Sequence, residues 1–373
     1  MSRWYRRSPF SADYSKQWSE VWEYRSAGGA AVRAFDVQVR AGKYLDVLAF
    51  KGLDLAETRE YSAFLAETAR RLYGSGGLHQ MKSCPLCGAS QQAAAEALRV
   101  FDIPYLRCGS CGHVSVGAQA APDVMNQVFA ESEAHSSTYV DRDALEVRMT
   151  QIIKPKLDWC EAEFRRLTGR APGSALDVGA GGGHFLAGAS RRGIKVEGFE
   201  KSKASCAFAR EAFNLDLSQD DFLATTVRPV DLVTFWGLLE YVAQPRDFIA
   251  AARRALTPEG MLIVEVPRVD ALGTLVQAME GAVVARHMDP TSHVNGFSDE
   301  SLCTALVEGG FAPVGAWYFG MDAYETCVQM ALRLGNAGLF PALAEFIPAI
   351  QEAADRGRQC DDIIIAAVPL DQK

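Results

Sequence analysis

Apolar positions recur along this chain at two periods, and the switch between them marks its elements. From about residue 173 onward, short apolar runs alternate with stretches of helical spacing. That is the pattern of an α/β, doubly wound arrangement built on a largely parallel sheet. Expected strands end at Asp177 and at Glu200, and others cover 231–236, 261–266, 311–318 and 362–368, with a weak one near 215–217. Helices are expected after Gly183, over 203–213 and over 245–256. Residues 330–360 read as a helical insertion, with Leu343, Phe346, Ile347 and Ile350 at helical spacing. Such an insertion could lid a cleft or build a homodimer contact.

Upstream the pattern is less regular. A helix is expected over 15–25, with Trp18, Val21 and Trp22 on one face, and another over 55–73, carrying Tyr61, Phe64, Leu65 and Ala69. Alternation over 34–39 and 44–50 allows short strands, in hairpin form, and the aromatic stripe of this region is expected to pack against the rest of the protein. Gly74 to Gly77 reads as a linker. Leu145, Met149, Ile152, Ile153 and Leu157 fall on one helical face, with Pro155 starting or kinking the helix, and Trp159, Phe164 and Leu167 continue it to Gly169. The chain therefore divides into an N-terminal mixed segment (1–80), a cysteine module (81–118), a helical connector (119–172) and an α/β domain (173–373).

Composition changes the picture in three places. Hydrophobic residues make up 49% and charged residues 23% of 373, enough for a substantial core. No apolar run is long enough for a membrane span, and no apolar region follows the basic N-terminus, so a cytoplasmic protein is expected. A net charge of −8 argues against a broad nucleic-acid footprint. Nine cysteines divide into four at short spacing and five scattered (Cys160, Cys206, Cys303, Cys327, Cys360), which read as small core residues. Cys84-Pro-Leu-Cys87 and Cys108-Gly-Ser-Cys111, twenty residues apart, have zinc-ribbon spacing. Four thiolates close a tetrahedron and leave no open position, so the expected Zn²⁺ is structural, with His113 a neighbour.

The chain's organising stretch is Asp177-Val-Gly179-Ala-Gly181-Gly-Gly183. A strand, a glycine loop and a helix in that order let backbone approach a ligand closely, and Glu200 at the end of the next strand could accept ribose hydroxyls. The D-x-G-x-G-x-G form resembles that of class I S-adenosylmethionine (SAM)-dependent methyltransferases; a dinucleotide fold would more usually read G-x-G-x-x-G. Three later landmarks resemble the family in order: Asp221-Phe222, residues 230–242 and residues 256–267. The resemblance covers roughly 140–373 and implies a Rossmann-like, mostly parallel seven-stranded sheet whose last two strands form an antiparallel hairpin at its edge. A ribbon just ahead of such a domain is similar to the bacterial deoxysugar C-methyltransferases.

The resemblance also implies roles. Asp177 would lie near the sulfonium end, Gly179, Gly181 and Gly183 would approach SAM with their backbone, Glu200 would take the ribose, and Asp221 with Phe222 the adenine. Phe235 or Trp236 could line that pocket, and Tyr139 is the candidate to cover the methionine end. Methyl transfer needs an aligned acceptor and often a base. Many family members carry Glu-His after the fourth strand, where this chain has Glu240-Tyr241, which puts that histidine's role in doubt here. His293, in a His-x-x-x-Phe-Ser segment ending at the helix cap Ser298, is the first candidate base, followed by His287 and Tyr241. His184 is expected to cap the helix start. The expected function is methylation of a small molecule, most plausibly a sugar, nucleotide-linked sugar or natural-product intermediate. Two alternatives remain: an RNA or protein methyltransferase that reads its substrate with the ribbon, and a non-catalytic SAM-binding scaffold. Residues 81–118 carry only Lys82, Arg99 and Arg107, which counts against the first.

Overall fold

A computed structural model describes residues 4–7, 16–26, 32–43, 45, 55–74, 78–120, 142, 145–279, 287–336 and 338–370. Tyr139, Gly77 and, apart from Leu45, the strand expected over 44–50 lie outside the described residues. The N-terminal part contributes strands β1 (Trp4–Arg7), β2 (Gln17–Arg25) and β3 (Val32–Ala41), then helix α1 (Leu55–Gly74). The helix expected over 15–25 is thus a strand. Trp18 and Trp22 are four apart, a spacing that serves either periodicity, and the deciding residues are Glu20, Trp22 and Tyr24, buried at every second position. In α1 the buried side is Ser62, Leu65 and Ala69, while Tyr61 and Phe64 are exposed.

The cysteine module follows, with β4 (Leu78–Gln80), β5 (Ala95–Val100), β6 (Ile103–Arg107), β7 (Val114–Val116) and β8 (Ala118–Ala120). A helical stretch then begins at Leu145, passes through a π-helical turn (Arg148–Ile153) and becomes α2 (Lys154–Thr168), with Pro155 just after the π-helical turn. Gly169 ends it in the left-handed conformation.

The α/β domain runs β9 (Ser174–Val178), α3 (His184–Ser190), β10 (Lys195–Phe199), α4 (Lys203–Phe213), β11 (Val230–Trp236), α5 (Pro245–Ala255) and β12 (Leu256–Pro267). It continues through α6 (Leu272–Gln277), β13 (Asn295–Gly296), α7 (Asp299–Glu308), β14 (Phe311–Phe319), α8 (Asp322–Leu334), α9 (Leu339–Leu343), α10 (Ile347–Arg356) and β15 (Asp362–Pro369). The helical insertion between the last two strands therefore starts at Asp322, earlier than expected. The strand expected near 215–217 is reduced to one bridge, Phe199 with Ser218.

The main sheet has nine strands in the order β1-β2-β3-β14-β15-β12-β11-β9-β10. Strands β9 to β12 are mutually parallel, and β15 runs antiparallel to both β12 and β14. This is the Rossmann-like core that the resemblance implies, but its terminal hairpin is not an edge. Strand β3 pairs parallel with β14, and β2 and β1 extend the sheet beyond it. The central strands are buried on both faces, so they read as unbroken apolar runs. Leu262 and Val264 pack with Ile249 of α5 and Leu302 of α7, while Ile263 packs with Leu157 and Phe164 of α2 on the opposite face.

Candidate functional site: a glycine loop, a buried acid and a histidine loop

The carboxyl ends of β9, β10, β11 and β12 meet at one side of the sheet, where ligands of open α/β sheets bind. After β9 the chain turns on Gly179, Gly181 and Gly183, with φ of 74°, 51° and 75°. Any other residue would be strained there. At Gly179 a Cβ would also come within 3.0 Å of Leu238 Cδ1, from the loop after β11. The Glu200 carboxylate accepts from Gly181 N at 2.7 Å and from Ser202 N at 2.7 Å. It thereby ties the glycine loop to the end of β10. A carboxylate has about four acceptor sites, so two ribose hydroxyls can still donate to it. Burial raises its pKa, against the pull of those backbone N–H groups.

Asp177 lies beneath the loop, fully buried, and accepts from Thr234 Oγ1 at 2.7 Å, its register partner on β11. Burial pushes its pKa up to about 7. Beside it Lys156 of α2 forms a buried ion pair with Glu265 and lies 4.6 Å from the centre of the Trp236 ring. Trp236 packs on Phe185, and its indole N–H is buried with no acceptor. Asp221 is exposed and accepts from Leu223 N, whereas Phe222 is buried among Phe199, Phe235 and Phe248. Phe235 lies in the same core. The glycine cradle, the Glu200 carboxylate and the unpaired indole suit an adenosyl ligand.

The loop after β11 and the loop before α7 converge. Tyr241 and His293 meet edge to face, with centroids 4.6 Å apart. His293 donates from Nδ1 to the His287 carbonyl at 2.9 Å, which places the ring's lone pair on Nε2, the form a base requires. His287 Nε2 donates to the buried Asp361 carboxylate at 2.9 Å. Glu240 is buried with one carboxylate oxygen unpaired, and burial raises its pKa well above the ordinary range. Ser298 caps α7 with a reciprocal bond to Ser301. His184 does not cap α3, whose N-cap is Gly183; its ring instead packs on Phe208 and Phe213, and burial lowers its pKa to about 4.

The four sulfurs of Cys84, Cys87, Cys108 and Cys111 lie within 4.8 Å of one another. Cys84 and Cys111, and Cys87 and Cys108, are 3.7 Å apart. A tetrahedral ion with zinc–sulfur bonds of about 2.3 Å has edges of about 3.8 Å, so these thiols fit Zn²⁺. Gly88 and Gly112, at φ of 72° and 75°, close the two turns. The ribbon abuts the histidine loop: β13 pairs with β7, and Tyr105 donates to the His293 carbonyl at 2.8 Å. His113 contacts Asn295 at 3.1 Å.

Sequence reasoning missed Thr234, Lys156, Tyr105 and Asn295. A threonine inside an apolar strand and a lone lysine on the apolar face of α2 were signals for the first two. The last two act through a pairing between segments far apart in sequence.

Residues 156–316 match a family model described as a methyltransferase domain. Among curated relatives, a ubiquinone biosynthesis O-methyltransferase from Alkalilimnicola ehrlichii is 29% identical over 150 residues, covering 38% of this chain and 59% of the relative. The chain thus spans under two thirds of that relative's length. An uncharacterized 37.1 kDa protein in a Streptomyces fradiae transposon is 28% identical over 246 residues, covering 61% of this chain and 69% of the relative. Among solved structures, magnesium protoporphyrin IX methyltransferase from Synechocystis PCC 6803, with bound S-adenosylhomocysteine (SAH), is 12% identical. It covers 67% of this chain and 100% of that one, at a TM-score of 0.45.

Proposed function

We propose that this chain is a SAM-dependent methyltransferase that methylates a small-molecule acceptor, with a sugar or nucleotide-linked sugar the first class to test. The observation that carries this reading is that the loop after β11 touches both halves of the site: its Leu238 lies against Gly179 of the glycine loop pinned by Glu200, and its Tyr241 packs on His293. SAM supplies an electrophilic methyl group on a sulfonium, so no metal is needed for the transfer. The protein's part is to align the acceptor in line with that methyl and to take its proton.

In this reading Glu200 holds the ribose, Asp221 and Phe222 serve the adenine side, and Trp236 lines the donor pocket. His293, through Nε2, takes the acceptor's proton, while Tyr241 fixes the plane of the imidazole. His287, held by Asp361, anchors the base of the same loop. Zn²⁺ on the four cysteines is structural. The sugar class is favoured by the order of ribbon and methyltransferase domain along the chain. The ubiquinone-type relatives point instead to phenolic acceptors, so catechols belong in the same screen.

The test is calorimetric titration of the full chain with SAH, with zinc counted in the same sample, followed by methyl-transfer assays on nucleotide sugars and on catechols. Tight SAH binding with turnover of one class is expected. No SAH binding by folded, zinc-loaded protein would overturn the proposal.

A further inference from the structure

Three backbone carbonyls of the loop after β11 end on one residue, Asn295. Its side-chain amide donates to Leu239 O at 3.1 Å and to Val242 O at 2.7 Å, and its backbone N–H donates to Glu240 O at 3.0 Å. Because Nδ2 is committed to two acceptors, Oδ1 must be the atom facing His113. His113 Nε2 therefore carries the proton and donates to it, at 3.1 Å. This imidazole is fully buried, and its ring packs on Phe297 at 4.9 Å. Asn295 is wholly buried, and its strand is stitched to the ribbon by the pairing of β13 with β7 and by Val116 N to Val294 O at 3.1 Å.

We infer that Asn295 is a positioning residue: through it the cysteine ribbon sets the conformation of residues 239–242, and so the place of Tyr241 opposite His293. The inference rests on the proposed methyl-transfer reading only for the purpose of that loop. A continuous chain of buried hydrogen bonds joins the two segments, so breaking one link tests the coupling directly. The ribbon would then act on the cleft without supplying a group that touches the acceptor.

The experiment is hydrogen exchange on the full, zinc-loaded chain, comparing peptides over 237–243 with peptides over the glycine loop and β9. For Asn295→Ala, exchange over 237–243 should rise at least tenfold, with one zinc per chain and β9 protection unchanged. His113→Phe should loosen the same peptide, whereas His113→Gln, which keeps an N–H donor, should restore slow exchange. Gln91→Ala, which removes another ribbon bond (to Ser115), should leave 237–243 alone. Chelating the metal from the wild-type chain should reproduce the Asn295→Ala pattern. Unchanged exchange at 237–243 in folded Asn295→Ala or His113→Phe would overturn the inference. So would equal loosening everywhere, which marks a merely structural role. SAH titration of the same samples separates this result from the proposed function, since lost donor binding in the wild type leaves the exchange comparison intact.

Discussion

The rings of Tyr241 and His293 meet edge to face at a centroid separation of 4.6 Å and an interplanar angle of 77°. The imidazole is therefore held from two directions, by the Tyr241 ring and by the His287 carbonyl on Nδ1. A base so held enters the reaction in one tautomer, with its lone pair on Nε2 to take the proton.

From that arrangement His293→Gln should lower methyl transfer by about 10²-fold or more, the usual scale for losing a general base, with SAH affinity unchanged. Tyr241→Phe keeps the ring contact and should cost little; Tyr241→Ala should cost more. Initial rates and calorimetry on the three variants check this. Retained turnover in His293→Gln would remove His293 from the base position.

The donor side gives a separate test. Glu200→Ala leaves Gly181 N and Ser202 N without their acceptor and removes the carboxylate offered to the ribose. SAH affinity should fall at least 100-fold. Gly179→Ala should act on the same affinity by another route, since it places a Cβ at φ of 74° and 3.0 Å from Leu238. Calorimetry reads both, and wild-type affinity in either would displace the glycine-loop assignment.

The α/β core was legible because its signals are local. The apolar runs at 231–236 and 261–266, the glycines after Asp177 and the serine cap at 298 each declare an element within a few residues. Strand β2 was not legible, because Trp18 and Trp22 satisfy both periods and the tie is broken by a buried charge, Glu20, whose partner Arg358 is far along the chain. The place of β3 beside β14 has the same character, since alternation names a strand but not its neighbour. In the cleft, the glycine loop and the histidines could be proposed from residue type. Asn295 could not, because its meaning lies in a contact with a ribbon residue nearly two hundred positions earlier.

Stability should fall as pH rises from about 6.5 to 8 and level off above the highest folded value. Burial raises the pKa of Asp177 and Asp322 to about 7 and of Asp355 to about 8. The folded chain therefore holds protons that the unfolded chain has released, and this stability, complete below about pH 4, is lost as pH rises through the folded values. The buried histidines His113 and His184, lowered to about 4, act in the opposite sense but only below about pH 6.5. Asp355→Asn keeps the acceptor for Gln351 Nε2 and should flatten the slope. Thermal unfolding at pH 6.5 and 9 measures it, and a Tm independent of pH in the wild type would contradict the assignment.

Lys156 and Glu265 form an ion pair with each side chain about one-tenth exposed, next to Asp177 and over Trp236. Two charges taken out of water gain little net stability from each other, but removing one strands the other. Lys156→Met should therefore destabilise the fold by about 3–5 kcal/mol. The double variant Lys156→Met/Glu265→Leu should recover most of that loss, as denaturant unfolding of the four chains would show. Donor affinity then separates stability from function. The Lys156 charge favours ionised Asp177, so the double variant should be stable yet bind SAH more weakly at pH 7. Affinity that recovers together with stability would instead make the pair a packing device, and Asp177 a neutral acid that needs no cation beside it.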